Sequence, residues 1–148
     1  MATDGTYVYV SDMEAGKVYR LGAEGVQEIK APPGVNGLTF ADGRMYAVSW
    51  TLHDIYQLDP TGKGEPVALG LAGHFKALDG IEVLADGTLL VSDFEGHRVA
   101  AVAPDRKTVY TLAGARTPAD IGLDRDRMLL YVPMLEANRV ATYKLEHR

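Results

Sequence analysis

Leu90-Val91-Ser92-Asp93, entered through Ala85-Asp86-Gly87-Thr88-Leu89, decides how the chain is read, because a tight-turn signal runs straight into a short strand of apolar residues. The same pattern returns as Tyr9-Val10-Ser11-Asp12, Ala47-Val48-Ser49-Trp50 and Tyr131-Val132-Pro133-Met134. With the third residue as a ruler, Ser11, Ser49, Ser92 and Pro133 stand 38, 43 and 41 positions apart. A period near 40 residues built from short strands is that of a β-propeller blade, whose two apolar faces are buried only by neighbouring blades.

The register holds on both sides of the ruler. Turns precede it at Ala41-Asp42-Gly43, Ala85-Asp86-Gly87 and Asp124-Arg125-Asp126, and the next strand opens at Val18, Ile55, Val99 or Val140. Before the turns lie Leu38-Thr39-Phe40, Ile81-Glu82-Val83-Leu84 and Ile121-Gly122-Leu123. A closing strand follows at Val26–Ile29, Val67–Leu69 or Val109–Leu112. The expected fold is therefore all-β, with four-stranded antiparallel blades and no helix. It forms one domain over residues 1–148, with complete blades near 36–70 and 79–113 and partial blades at both termini. About 14 strands, or three and a half blades, fall short of the 4 to 8 blades of a closed ring. A second copy completing the circle is the expected partner.

The chain has 148 residues, 47% of them hydrophobic, and a formal charge of −5, which suits one globular domain and disfavours binding to nucleic acid. No cysteine is present, which excludes disulfides, thiolate metal sites and cysteine nucleophiles. No membrane-spanning run or targeting segment is visible, so the default expectation is a cytoplasmic protein without membrane contact. Phosphate loops, nucleophile elbows and H-E-x-x-H motifs are absent as well.

In a propeller the innermost strand of each blade lines the central channel. Asn36, Asp79 and Asp120, spaced 43 and 41 apart, should therefore converge near the axis. Three oxygen donors facing one hole suit a hard divalent cation: Ca²⁺ first, with Mg²⁺ or Zn²⁺ as alternatives. Asn and Asp beside Gly also form ordinary turns, and that plainer role stays open. On the same face fall Trp50, the single tryptophan, and His53 and His74, which are candidates for holding a substrate. Asp12 and Asp93 are expected to cap the hairpin turns. The repeated pairs Glu14/Lys17, Glu95/Arg98 and Glu136/Arg139 are expected to be structural pairs across those turns.

Asp79-Gly80-Ile81, Asp86-Gly87-Thr88-Leu89-Leu90-Val91-Ser92-Asp93 and His97-Arg98-Val99 resemble the blade pattern shared by NHL repeats and the SMP-30/gluconolactonase/LRE-like six-bladed propellers. Asn36-Gly37-Leu38 resembles the preceding blade opening of that family, and Pro118-Ala119-Asp120-Ile121-Gly122 with Leu135–Val140 its closing blade. The resemblance spans nearly the whole chain and matches the C-terminal half of a family member, about three blades. It implies a divalent metal on Asn36 and Asp79, with Asp79 as general base of a metal-dependent hydrolysis of lactones or sugar-acid esters. The Glu that the family contributes from an early blade has no counterpart here, and a partner subunit or Asp120 would have to supply the missing oxygen. Two alternatives stand beside this gluconolactonase-like reading: a non-catalytic NHL-like binding propeller, and a self-associating half-propeller module without enzymatic activity.

Overall fold

The computed structural model describes residues 1–146 and arranges them as four antiparallel sheets in chain order. The first holds β1 (Ala2–Thr3), β2 (Val8–Asp12), β3 (Lys17–Gly22) and β4 (Gly25–Lys30). The second holds β5 (Val35–Ala41), β6 (Arg44–Ser49), β7 (Ile55–Leu58) and β8 (Val67–Ala68), and the third β9 (Leu78–Val83), β10 (Leu89–Asp93), β11 (Arg98–Val102) and β12 (Val109–Gly114). The fourth has three strands, β13 (Gly122–Asp124), β14 (Leu129–Met134) and β15 (Arg139–Lys144). Each strand pairs with its sequence neighbour, so every sheet is a meander. The expected all-β architecture is present, and among the described residues the helical structure is one 3₁₀ turn, Ala72–His74.

The difference from the sequence reading lies at the N-terminus. Ala2 and Thr3 pair with Tyr9 and Val8, which gives the first sheet a short inner strand where the reading began with the second strand of a blade. Two residues are too few to carry a visible alternating pattern, and only pairing to β2 marks them as a strand. The described residues thus form 15 strands in four sheets, where about 14 strands in two complete and two partial blades were expected.

Alternation along each middle strand sends its residues into two different cores. Met45 and Ala47 of β6 join Tyr9, Val18 and Ile29 between the first and second sheets. Tyr46 and Val48 of the same strand join Leu78, Ile81, Leu89 and Val91 between the second and third. In β10, Leu90 turns the other way and packs with Val99, Leu130, Val132 and Met134 between the third and fourth. Sheets stacked face to face by alternate residues of one strand explain why β10 is buried along its whole length. The two ends of the stack remain open: Val8, Leu21 and Val26 are exposed on the first sheet and Val140 on the last.

Buried Asp residues tie each loop into the stack. Asp93 accepts hydrogen bonds from the backbone N–H groups of Lys76, Ala77 and Gly96 and pairs with Arg98 at 3.2 Å. Asp54 accepts from Ile55, Gly70 and Leu71. Asp12 receives the N–H of Ala15 at 2.9 Å, so Asp12 and Asp93 do cap their hairpins. The Glu/base repeat is corrected by these contacts. Arg98 pairs with Asp93 rather than Glu95, Lys17 with Glu28, and Glu136 with Arg116. Positions across a short turn present their side chains less favourably to each other than neighbours on adjoining strands do.

The inner strands approach backbone to backbone where glycine permits it. A Cβ on Gly37 would lie 2.5 Å from the carbonyl oxygen of Asp79, and one on Gly80 2.6 Å from the amide nitrogen of Ile121. Gly80→Ala should therefore destabilise the fold by about 1–3 kcal/mol through overpacking. Gly114→Ala, at a position with nothing within 4 Å, should change stability far less; urea unfolding of the two variants checks the contrast.

Candidate functional site

Asn36, Asp79 and Asp120 all stand in irregularities of the inner strands. Pairing of Val35 with Ser49 and of Leu38 with Ala47 leaves Asn36-Gly37 opposite Val48 alone. Pairing of Leu78 with Asp93 and of Ile81 with Val91 leaves Asp79-Gly80 opposite Ser92. The Pro118–Met134 bridge and the Gly122–Tyr131 pair leave Ala119, Asp120 and Ile121 facing Val132 and Pro133. Each is one extra residue on the inner strand, a β-bulge that re-aims the local side chain. In the third sheet the Ser92 hydroxyl oxygen accepts the Gly80 N–H at 2.7 Å and pins the bulge.

The three donors are not strictly equivalent. Counted from the pairs that flank each bulge, Asp120 takes the place of Gly80 and Ala119 that of Asp79. Ile121 and Ile81 then share the buried place that follows. Burying the isoleucine sets the register of the fourth sheet, so the carboxylate moves one residue along. Asp120 nevertheless comes to the shared region: its Oδ1 lies 2.7 Å from where a Cβ on Gly80 would sit.

Electrostatics at this point are unfavourable to two free carboxylates. Burial, and then the charge of Asp120, push the Asp79 pKa up to about 6. Asp120 is exposed as a residue, yet the protein around its carboxyl still raises its pKa, an effect that the amino group of Met1 partly opposes. Glu82, three residues beyond Asp79, is raised by burial and pulled back by Arg125, its partner at 2.8 Å. Among the described residues neither Asp79 nor Asp120 belongs to an ion pair. Among the same residues no three His, Cys, Asp or Glu side chains form a ready-made metal cluster. What this chain brings together is the partly buried carboxylate of Asp79, the more exposed one of Asp120 and, on the adjoining strand, one amide.

The donors' loops are fastened to the hairpins that follow the second strands. Trp50 N–H donates to Gly34 O at 2.8 Å, Phe94 N–H to Ala77 O at 2.7 Å, and Leu135 N–H to Thr117 O at 3.1 Å. The two sets of loops thus share one face of the stack, as the strand directions required. Trp50 packs its ring on Phe94, centroids 5.1 Å apart and tilted by 51°. His53 follows in the same hairpin with φ +59°, and its buried Nδ1 has no hydrogen-bond partner. His74 ends the 3₁₀ turn before β9, exposed, with its carbonyl taken by Arg98. Sequence reading overlooked Phe94 and Glu82. Strand pairing equates Val48, rather than Ser49, with Ser92 and so sets Trp50 in the place of Phe94, where the sequence repeat alone sets Thr51.

No family model and no curated protein matches the chain. Solved structures do. A streptogramin B lyase superposes with a TM-score of 0.67 at 17% identity, over 97% of this chain and 53% of that one. The nidogen/laminin complex gives 0.83 at 17%, over 97% and 58%. A gluconolactonase from Xanthomonas campestris gives 0.81 at 18%, over 95% and 55%. The fold is a partial β-propeller. This chain spans about half the length of the structures it matches, and at these identities the likeness concerns the fold alone. Among the described residues no helix is long and apolar enough to cross a membrane.

The raised carboxyl of Asp79 has a signed consequence. Its folded pKa near 6 exceeds the ordinary value of 3.8, so the folded state holds the proton longer than the unfolded one. Stability is therefore lost as pH rises from about 4 through about 6. In chelator, Asp79→Asn should raise the urea midpoint at pH 7 and change it little at pH 4; equal shifts at both values would contradict the assignment.

Proposed function

We propose that the chain contributes a divalent-cation site to a hydrolase of lactones or related esters. The observation that carries this reading is the placement of Asp79 and Asp120 in neighbouring inner-strand bulges, Asp79 partly buried and neither paired with a side-chain cation among the described residues. The donor set fits a hard cation: two carboxylates and an amide offer oxygen only, which suits Ca²⁺ or Mg²⁺ better than Zn²⁺. Asn36, Asp79 and Asp120 would hold it, and further oxygens would come from water or from sheets covering the open ends of the stack. When bound, such an ion polarises the ester carbonyl and favours ionisation of water.

Asp79 performs the proton chemistry in this scheme. Without a cation the Asp79 pKa is pushed up to about 6, so its carboxylate is largely ionised at neutral pH; as the cation would lower that basicity, the general-base role is taken by the Asp79 oxygen turned toward water. The water oxygen bonds to the carbonyl carbon, the ring C–O bond breaks, and the proton passes to the departing alkoxide, which leaves a hydroxy acid. The bulge in β9 holds the base at a set place, since Ser92 fixes the Gly80 amide beside it.

The competing reading, a propeller that binds a ligand without chemistry, uses the same face. Calcium titration followed by melting should raise the wild-type midpoint and leave Asp79→Ala unmoved, because only a ligand of the folded state stabilises it. Hydrolysis of glucono-δ-lactone should stop in chelator and in Asp79→Ala. Calcium binding without turnover would favour the binding propeller, and absence of both would remove the site.

The partner we infer is a second copy of the chain. Its end sheets would cover Val8, Leu21 and Val26 on one side and Val140 on the other, and two chains would bring eight sheets, within the range of closed rings. Sedimentation should give twice the chain mass; a folded monomer that binds calcium would overturn it.

A further inference from the structure

The first residue of each hairpin that follows a second strand is large and apolar: Met13, Trp50, Phe94 and Leu135, one from each of the four sheets. Equivalent pairings place them. Asp12, Asp93 and Met134 end β2, β10 and β14 opposite Lys17, Arg98 and Arg139, and Ser49 ends β6. Surface turns ordinarily carry polar residues at such positions, yet Leu135 is 64% exposed and Met13 44%. Trp50 and Phe94 are partly exposed and lean on each other across two sheets.

Three of these residues are tied by their backbone to the loops that lead into the donors, Leu135 through Thr117, three residues before Asp120. The Trp50 and Phe94 amides are bonded to Gly34 and Ala77, each two residues before Asn36 and Asp79. Two residues of extended chain span about 7 Å. An apolar rim thus lies within the length of a small molecule from the oxygen donors.

We propose that this rim selects lactones with an apolar body, such as alkyl-substituted δ-lactones, over polyhydroxylated sugar-acid lactones. The proposal rests on the lactonase reading for the identity of the ligand, and the rim adds the substrate class. The ester end meets Asn36, Asp79 and Asp120 while the alkyl chain covers Trp50 and Phe94, with Met13 and Leu135 further round the rim. Each methylene placed on such a surface favours the alkyl substrate, whereas sugar hydroxyls laid on it lose water without gaining partners.

Because Trp50 is the only tryptophan, its fluorescence reports binding independently of turnover. An alkyl δ-lactam, which resists hydrolysis, should shift Trp50 emission to the blue at lower concentration than unsubstituted δ-valerolactam. In turnover, δ-decalactone should exceed glucono-δ-lactone in kcat/KM at least tenfold. Phe94→Ala and Leu135→Ser should each raise KM for δ-decalactone several-fold, and by more than KM for glucono-δ-lactone, with kcat for δ-decalactone little changed. Leu135→Ser keeps the test open if Phe94→Ala does not fold, since Leu135 is exposed. A lactam shift without hydrolysis would keep the rim as a binding surface while removing the lactonase reading. Hydrolysis that favours glucono-δ-lactone, or a Trp50 signal blind to the alkyl chain, would overturn the rim and leave the reading standing.

Discussion

The middle sheets of this chain have two apolar faces each, and covering both is the constraint from which the rest follows. A middle strand such as β6 or β10 sends alternate residues to opposite sides, so it stabilises two cores at once. That can be satisfied only if sheets stack in sequence, each rotated by the twist of its neighbour. The inner strands are then drawn together, and where they touch only glycine leaves room. Gly37 against Asp79 and Gly80 against Ile121 are the contacts at which the stack is tightest.

The same crowding creates the candidate site. A strand squeezed at its inner edge cannot keep regular pairing with the strand outside it, and the extra residue of a bulge absorbs the mismatch. Asn36 and Asp79 hold the same place in their bulges, and Asp120 stands one residue further along in the next. Packing supplies the desolvation that raises Asp79 and Asp120, and their mutual repulsion adds to it at Asp79. Such an arrangement costs stability unless a cation or a proton neutralises it, which is a common mark of residues kept for chemistry rather than for folding.

Other carboxylates show the contrast. Asp54 and Asp93 are more deeply buried than Asp79, yet backbone N–H groups surround them, and Asp93 adds Arg98. They hold loops in place. These Asp residues therefore divide by what surrounds them: backbone amides for Asp54 and Asp93, desolvating protein and the neighbouring Asp120 charge for Asp79. The face that carries the inner pair also carries the apolar hairpin residues, because the strand directions bring both sets of loops to one side.

The repeat, the strand order and the segments that would meet at the inner edge were legible in the residues themselves. Period-two alternation and turn chemistry are local properties, and copies of one unit must pack alike. Val91 and Leu90 could be assigned to opposite faces before any coordinates. The one-residue displacement of Asp120, the strand at Ala2–Thr3, the true partner of Arg98 and the stacking of Trp50 on Phe94 were not legible. Each depends on which groups from distant parts of the chain compete for the same space, and only the assembled stack decides that competition.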